Sequence, residues 1–213
     1  MVGGKRIECI IPIGLRPIVD FEVPGPHNYI AGGVVHHNSG KSTATCYEAT
    51  CHAIGFYPSW WSGYRYDRPV TVWACGEDAK AVRESLQPKL LGYPFTEMGT
   101  GLIPGANILG EPTKRSGTPE AVDALNVKHA SGGTSRIVFK MYEQGRESFQ
   151  ASKIDIGICD EEPPHPVYSE LLARTMATVP GQDNGHVLCG FTPLLGWSSV
   201  VMMFLGTKPL ETK

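Results

Sequence analysis

His36-His37-Asn38-Ser39-Gly40-Lys41-Ser42 decides how this chain is read, because Gly40-Lys41-Ser42 is the closing half of a phosphate-binding loop. The full signature, G-x-x-x-x-G-K-[ST], needs its first glycine five residues before Gly40, and Val35 stands there, followed by two histidines. The loop is therefore incomplete in this polypeptide. The residues downstream suit such a loop: Lys41 to Ile54 contains neither Gly nor Pro and reads as a helix. Its N-terminus would offer N–H groups and a positive dipole end to phosphate. In such a loop Ser39 and Gly40 line the phosphates of ATP, Lys41 reaches the β- and γ-phosphates, the Ser42 hydroxyl ligates Mg2+, and Thr43 has a lesser role at the helix start.

Working outward, Ile154 to Cys159 is an apolar run, interrupted by Asp155, that ends at Asp160-Glu161-Glu162-Pro163-Pro164. A buried strand ejecting carboxylates at its C-terminal end is a Walker B arrangement, at the edge where open α/β sheets bind ligands. Asp160 would hold Mg2+, and Glu161, pointing differently, would orient and deprotonate the attacking water. Glu162 is the rival for that role, or it caps the turn before Pro163-Pro164. Three more strand-like runs, Val70 to Cys75, Arg136 to Tyr142 and His186 to Thr192, alternate with helix-compatible stretches, Asp78 to Leu91 and Pro166 to Ala177. That alternation predicts a parallel α/β sheet, lacking its first strand. Leu91 to Thr134, rich in Gly and Pro, reads as a surface excursion with one short helix around Ala121 to Leu125. Its Lys114-Arg115 and Lys128-His129 pairs fit a DNA contact or a solvated loop.

The 213 residues carry 19 basic and 21 acidic side chains, a formal charge of −2, so no global basic bias points to nucleic acid. Six scattered cysteines form no C-x-x-C pair and no Cys/His ligand spacing, which reads as reduced thiols in a cytosolic protein rather than a metal centre. Neither a secretory leader nor an apolar run of membrane-spanning length is present, so a soluble, intracellular protein with no membrane partner is expected.

Residues 1–38 have a different grain. Short β-type runs, Arg6 to Pro12, Pro17 to Val23 and Tyr29 to Val35, alternate with breaks such as Pro24-Gly25-Pro26, and a segment this short cannot bury enough surface to fold well alone. Residues 19–38, with His27-Asn28-Tyr29 and the terminal His37-Asn38, resemble the C-terminal splicing block of inteins, which have the Hint fold. Because the segment starts at Met1 and is short, it resembles the C-terminal fragment of a split intein. The resemblance implies that Ser39 takes the acyl group of an N-terminal partner through its hydroxyl. Asn38 then cyclises onto its own carbonyl and breaks the Asn38–Ser39 bond, with His37 polarising that carbonyl or protonating the leaving group. His27 is a second proton-transfer or orienting group, His36 is unassigned, and the reaction needs no cofactor. As bare residues, the His-His-Asn run also fits an ordinary polar loop.

Pro58-Ser59-Trp60-Trp61-Ser62-Gly63, Gly145-Arg146-Glu147, Cys159-Asp160-Glu161-Glu162-Pro163-Pro164 and Phe191-Thr192-Pro193-Leu194-Leu195-Gly196 resemble the ATPase domain of tailed-bacteriophage large terminase subunits across nearly all of residues 39–213. The resemblance implies a Mg-dependent ATPase, in a ring of subunits on the portal, that packages double-stranded DNA with the small terminase subunit in the cytoplasm of an infected bacterium. Thr192 matches the coupling motif, and Arg146 and Arg174 are options for stabilising transition-state charge. Two departures stand out. The residues that supply the family's first strand and adenine contacts are absent before the loop, and no acidic cluster of a C-terminal nuclease domain follows. The expected organisation is thus an intein C-fragment, 1–38, and a terminase ATPase domain, 39–213, whose loop is completed when an intein N-fragment partner is ligated at Ser39. An unspliced ATPase with a degenerate loop and an inactive structural remnant are the alternatives.

Overall fold

The computed structural model describes residues 28–31, 34–37, 40–93, 96–150, 152–177, 184–194 and 196–205. The chain divides into two compact units, Met1–Lys41 and Ser42–Lys213. In the first, β1 (Asn28–Ala31) and β2 (Val34–His37) pair antiparallel, with Asn28 opposite His37 and Ala31 opposite Val34. The single strand expected from Tyr29 to Val35 is therefore two paired strands, β1 and β2. The runs Arg6 to Pro12 and Pro17 to Val23 lie outside the described residues.

The second unit is built on a six-stranded sheet in the order β4-β5-β6-β3-β7-β8. Its members are β3 (Thr71–Gly76), β4 (Ile108–Lys114), β5 (Val122–Lys128), β6 (Thr134–Met141), β7 (Ile156–Asp160) and β8 (His186–Gly190). β6, β3, β7 and β8 run parallel, whereas β4, β5 and β6 are antiparallel. The sheet is mixed, which corrects the all-parallel expectation. The stretch around Ala121 to Leu125 is strand, not helix: Val122, Ala124, Leu125 and Val127 are buried, and β5 pairs with β6 from Ala124↔Val138 to Lys128↔Thr134. Among the described residues β8 pairs directly with β7 from Ile156↔His186 to Asp160↔Gly190.

Helices cover both faces. α1 (Lys41–Ile54) buries Cys46, Ala49, Thr50 and Ala53, a helical spacing of small side chains that lets it lie close to the sheet. Next come α2 (Ala79–Ala81) and α3 (Gln87–Leu91), joined without a break by a π-turn, Val82–Leu86; Asp78 caps α2 by accepting the Ala81 N–H at 2.7 Å. These pack with Val72, Ala74, Ile137, Phe139, Ile156 and Ile158 on one face. α4 (His165–Thr175) covers the other face, where Val167 and Leu171 meet Trp73, Cys75, Phe149 and Cys159. Each fully buried Ile or Phe contributes about 1.5–3 kcal/mol. Asp155 ties the strand starts together: it accepts from Arg68 at 2.7 Å and from the Thr71 N–H at 2.8 Å, and its carbonyl accepts the His186 N–H at 2.8 Å. A last helix, α5 (Ser199–Leu205), is capped by the Ser198 hydroxyl, which accepts the Val201 N–H at 3.1 Å. Among the described residues no helix is long and apolar enough to cross a membrane.

Candidate functional site

Two of the residues singled out by sequence, Ser42 and Asp160, meet at the C-terminal ends of the parallel strands. β7 delivers Asp160 to that edge, and α1 brings Ser42 to it: the Ser42 hydroxyl donates a short hydrogen bond to Asp160 Oδ1. The second carboxylate oxygen, Oδ2, accepts from Ser85 at 2.7 Å, and the Lys89 ammonium donates to the Ser85 hydroxyl at 2.9 Å and to its carbonyl at 3.1 Å. Gly40, at φ 74°, turns the chain into α1 in the left-handed region, with open space where a Cβ would stand. α1 carries no acidic residue in its first turn and His52 in its last, a charge pattern that leaves its N-terminus attractive to an anion. Thr43 is exposed.

Directly after Asp160 the backbone is strained. Glu161 adopts φ 62°, unusual for a residue with a side chain, and its N–H donates to Gly190 O at 3.3 Å. Beneath it the Tyr142 hydroxyl lies 3.2 Å from Asp160 O and 3.4 Å from both Cys75 O and Glu161 O; burial pushes its pKa well above the usual phenol value, so its proton stays available to these carbonyls. Glu161, Glu162 and Thr192 line one cleft of 590 Å3 together with Glu77, Tyr142 and Glu143. Glu162 is anchored: its Oε1 accepts a short hydrogen bond from Ser198, the cap of α5, and its buried Oε2 has no protein partner. Through Ser198 it braces the cap of a helix 36 residues away. Four carboxylates around one cleft repel a bare polyphosphate and favour one neutralised by a divalent cation. Hydroxyl and carboxylate oxygens are the donors a hard cation such as Mg2+ takes, so the residues present fit that ion.

This arrangement meets its relatives in sequence. Residues 37–208 match the family described as terminase large subunit, T4likevirus-type, N-terminal. The chain belongs to the terminase large-subunit family. It is 37% identical over 185 residues to the terminase large subunit of Salmonella phage P22, covering 78% of this chain and 36% of that protein. The solved large terminase of a thermophilic bacteriophage overlays 72% of this chain and 30% of its own with a TM-score of 0.45 and 13% identity. The chain thus spans about a third of the length of these relatives.

Two arginines of this terminase domain point elsewhere than the cleft lining. Arg146 donates through Nε to Glu170 at 2.9 Å, and Arg174 holds the other oxygen of the same carboxylate at 2.6 Å. The Arg146 hydrogen bond, then Arg174, keep the Glu170 carboxyl below the ordinary range. The basic pairs of the excursion are also engaged: Arg115 pairs with Asp123 at 3.3 Å, and His129 is buried with Nδ1 2.8 Å from the Ser131 hydroxyl. A buried His129 removes Lys128-His129 as an exposed basic pair. Of the splicing residues, His37 ends β2, while His27, Asn38 and Ser39 lie outside the described residues. Sequence reasoning missed Ser85, Lys89, Glu77 and Glu143. Glu77 had a signal, since it follows Gly76 at the C-terminal end of a recognised strand.

Proposed function

We propose that residues 39–213 are the ATP-hydrolysing motor domain of a terminase that drives double-stranded DNA into a capsid, and that protein trans-splicing at Ser39 completes it. The observation that carries the motor reading is the meeting of Ser42 and Asp160 across 118 residues, in a chain of the terminase family. In this reading Ser39, Gly40, Lys41, Ser42 and Thr43 cradle the phosphates, and Ser42 and Asp160 hold Mg2+. Bound there, Mg2+ supplies charge neutralisation to the phosphates. Glu161 orients the attacking water and takes its proton, and Thr192, on the segment after β8, follows the γ-phosphate. DNA, a portal, a small terminase subunit and further copies of this chain in a ring are the partners, in the cytoplasm of an infected bacterium.

Residues 1–38 act as the intein C-fragment. Ser39 Oγ takes the acyl group from a thioester or ester on the partner, whose own thiol or hydroxyl leaves; the Asn38 side-chain nitrogen attacks its own carbonyl carbon, the Asn38–Ser39 bond breaks with a proton supplied to the leaving amine by His37, and that freed Ser39 amine takes the acyl group from Oγ to leave a peptide bond; His27 orients. Two boundaries support this division: the family match starts at His37, and the second compact unit starts at Ser42. The test is mass spectrometry of this chain mixed with an N-fragment partner, alongside ATP turnover before and after mixing. Expected are release of residues 1–38, a ligated product at Ser39, no release with Asn38→Ala or Ser39→Ala, and turnover only in the ligated product. Turnover by the unligated chain would sink the dependence on splicing. A ligated product without turnover would sink the motor reading.

A further inference from the structure

We propose that Ser85 and Lys89 are a positioning pair that sets how the Asp160 carboxylate takes a divalent cation; the inference rests on the reading of Asp160 as the cation ligand. The pair comes from the helical segment after β3, where the π-turn Val82–Leu86 sits between α2 and α3. Such turns recur at functional sites because an inserted residue shifts the phase of the side chains beyond it. Val82, Leu86 and Leu90 are buried and clamp the segment to the sheet, which fixes where Ser85 and Lys89 point.

A helical serine commonly spends its hydroxyl on a carbonyl one turn back. Ser85 instead donates to Asp160 Oδ2 at 2.7 Å, across 75 residues. Its oxygen in turn accepts from the Lys89 ammonium at 2.9 Å, which leaves the hydroxyl proton directed at Asp160. With Ser42 on Oδ1, each carboxylate oxygen holds one hydroxyl from a different helix, and the carboxylate plane is set from both sides. Among the described residues no carboxylate lies within ion-pair distance of Lys89, so its charge is directed at this cluster through Ser85. The Cys46 thiol feels both charges: burial pushes it up to about 12, Asp160 pushes the same way, and Lys89 pulls it back.

Ser85 and Lys89 therefore act on a cation with opposite signs. The Ser85 hydroxyl orients the ligand and favours binding; the Lys89 charge repels the cation. Mn2+ uptake by the full chain, read from the electron paramagnetic resonance signal of free Mn2+, separates the two, with Asp160→Asn marking the share of uptake that belongs to this site. Ser85→Ala is expected to weaken that uptake about 10-fold, the scale of lost ligand-orienting partners, and Ser85→Thr to restore it. Lys89→Met is expected to tighten it roughly 5-fold, as removal of one nearby like charge predicts. Weakening by both Ser85→Ala and Lys89→Met, or no change in either, overturns the pair. Wild-type uptake that Asp160→Asn leaves intact, or no uptake at all, removes the reading of Asp160 as a ligand and the pair with it.

Discussion

Ser42 and Asp160 share one hydrogen bond, hydroxyl to carboxylate, where the first turn of α1 meets the last residue of β7. Asp160 is the common acceptor of Ser42 and Ser85, so the two ends of that bond are not equivalent. Asp160→Ala strands two hydroxyls and should cost roughly 2–3 kcal/mol, whereas Ser42→Ala removes one donor and should cost about 1 kcal/mol. Urea unfolding of the two variants checks this, and equal costs would contradict the shared-acceptor arrangement.

Glu161 separates stability from chemistry. Its φ of 62° carries a backbone cost that glycine does not bear. Glu161→Gly is expected to unfold at the same or a higher temperature than wild type, while turnover by the ligated product falls about 100-fold or more. Calorimetry and a steady-state assay on the same preparations decide it. A clear fall in melting temperature would show that the side chain supports the fold.

Stability should also depend on pH through Glu170. Arg146 and Arg174 hold its folded carboxyl below the ordinary glutamate range, so between the two pKa values the unfolded chain binds more protons and stability rises with pH. The contribution is complete above the ordinary range, about 4.3, and is lost as pH falls through the folded value. Glu170→Gln should therefore be less stable than wild type at neutral pH, with the gap closing in acid. Denaturant melts across that range would show a pH-independent gap if the contact were not ionic.

Gly55→Ala tests the close approach of α1 to the loop after β5. Gly55 has φ 68°, and a Cβ there would meet His129 Nε2 at 2.4 Å, against a buried ring already bonded to Ser131. A loss of about 1–3 kcal/mol is expected. Retention of wild-type stability would mean that His129 rotates away, visible as a changed imidazole shift in NMR spectra.

Much of the site was legible because it rests on local signals. Lys41 to Ile54 matches α1 end to end, and Asp160 follows an apolar run that could only be a buried strand. The misses have physical causes. β4 carries Gly110 and Pro112 on an exposed edge and reads as loop, and in β5 the adjacent burial of Ala124 and Leu125 blurs the alternation, so that stretch reads as a short helix. Ser85 and Lys89 were invisible because their phase depends on a π-turn and their partner lies 75 residues away. Glu162 beside Glu161 looked chemically equivalent; both line the cleft with Thr192, and only the fold shows that Glu162 accepts from Ser198.

β8 is the last strand in the sheet order, seated along the whole of β7. If splicing delivers a strand ahead of Ser39, as proposed, it would have two berths beside β7 and β8: beyond β8, or between the two at the cost of unzipping five residue pairs. The first adds to an existing edge. The second would carry Thr192 a strand's width, roughly 4.8 Å, from the carboxylates of β7. Under the proposed trans-splicing, joining the backbone and seating the new strand would be separate events with separate barriers, and a product that is covalently whole could still wait for its sheet to be rethreaded.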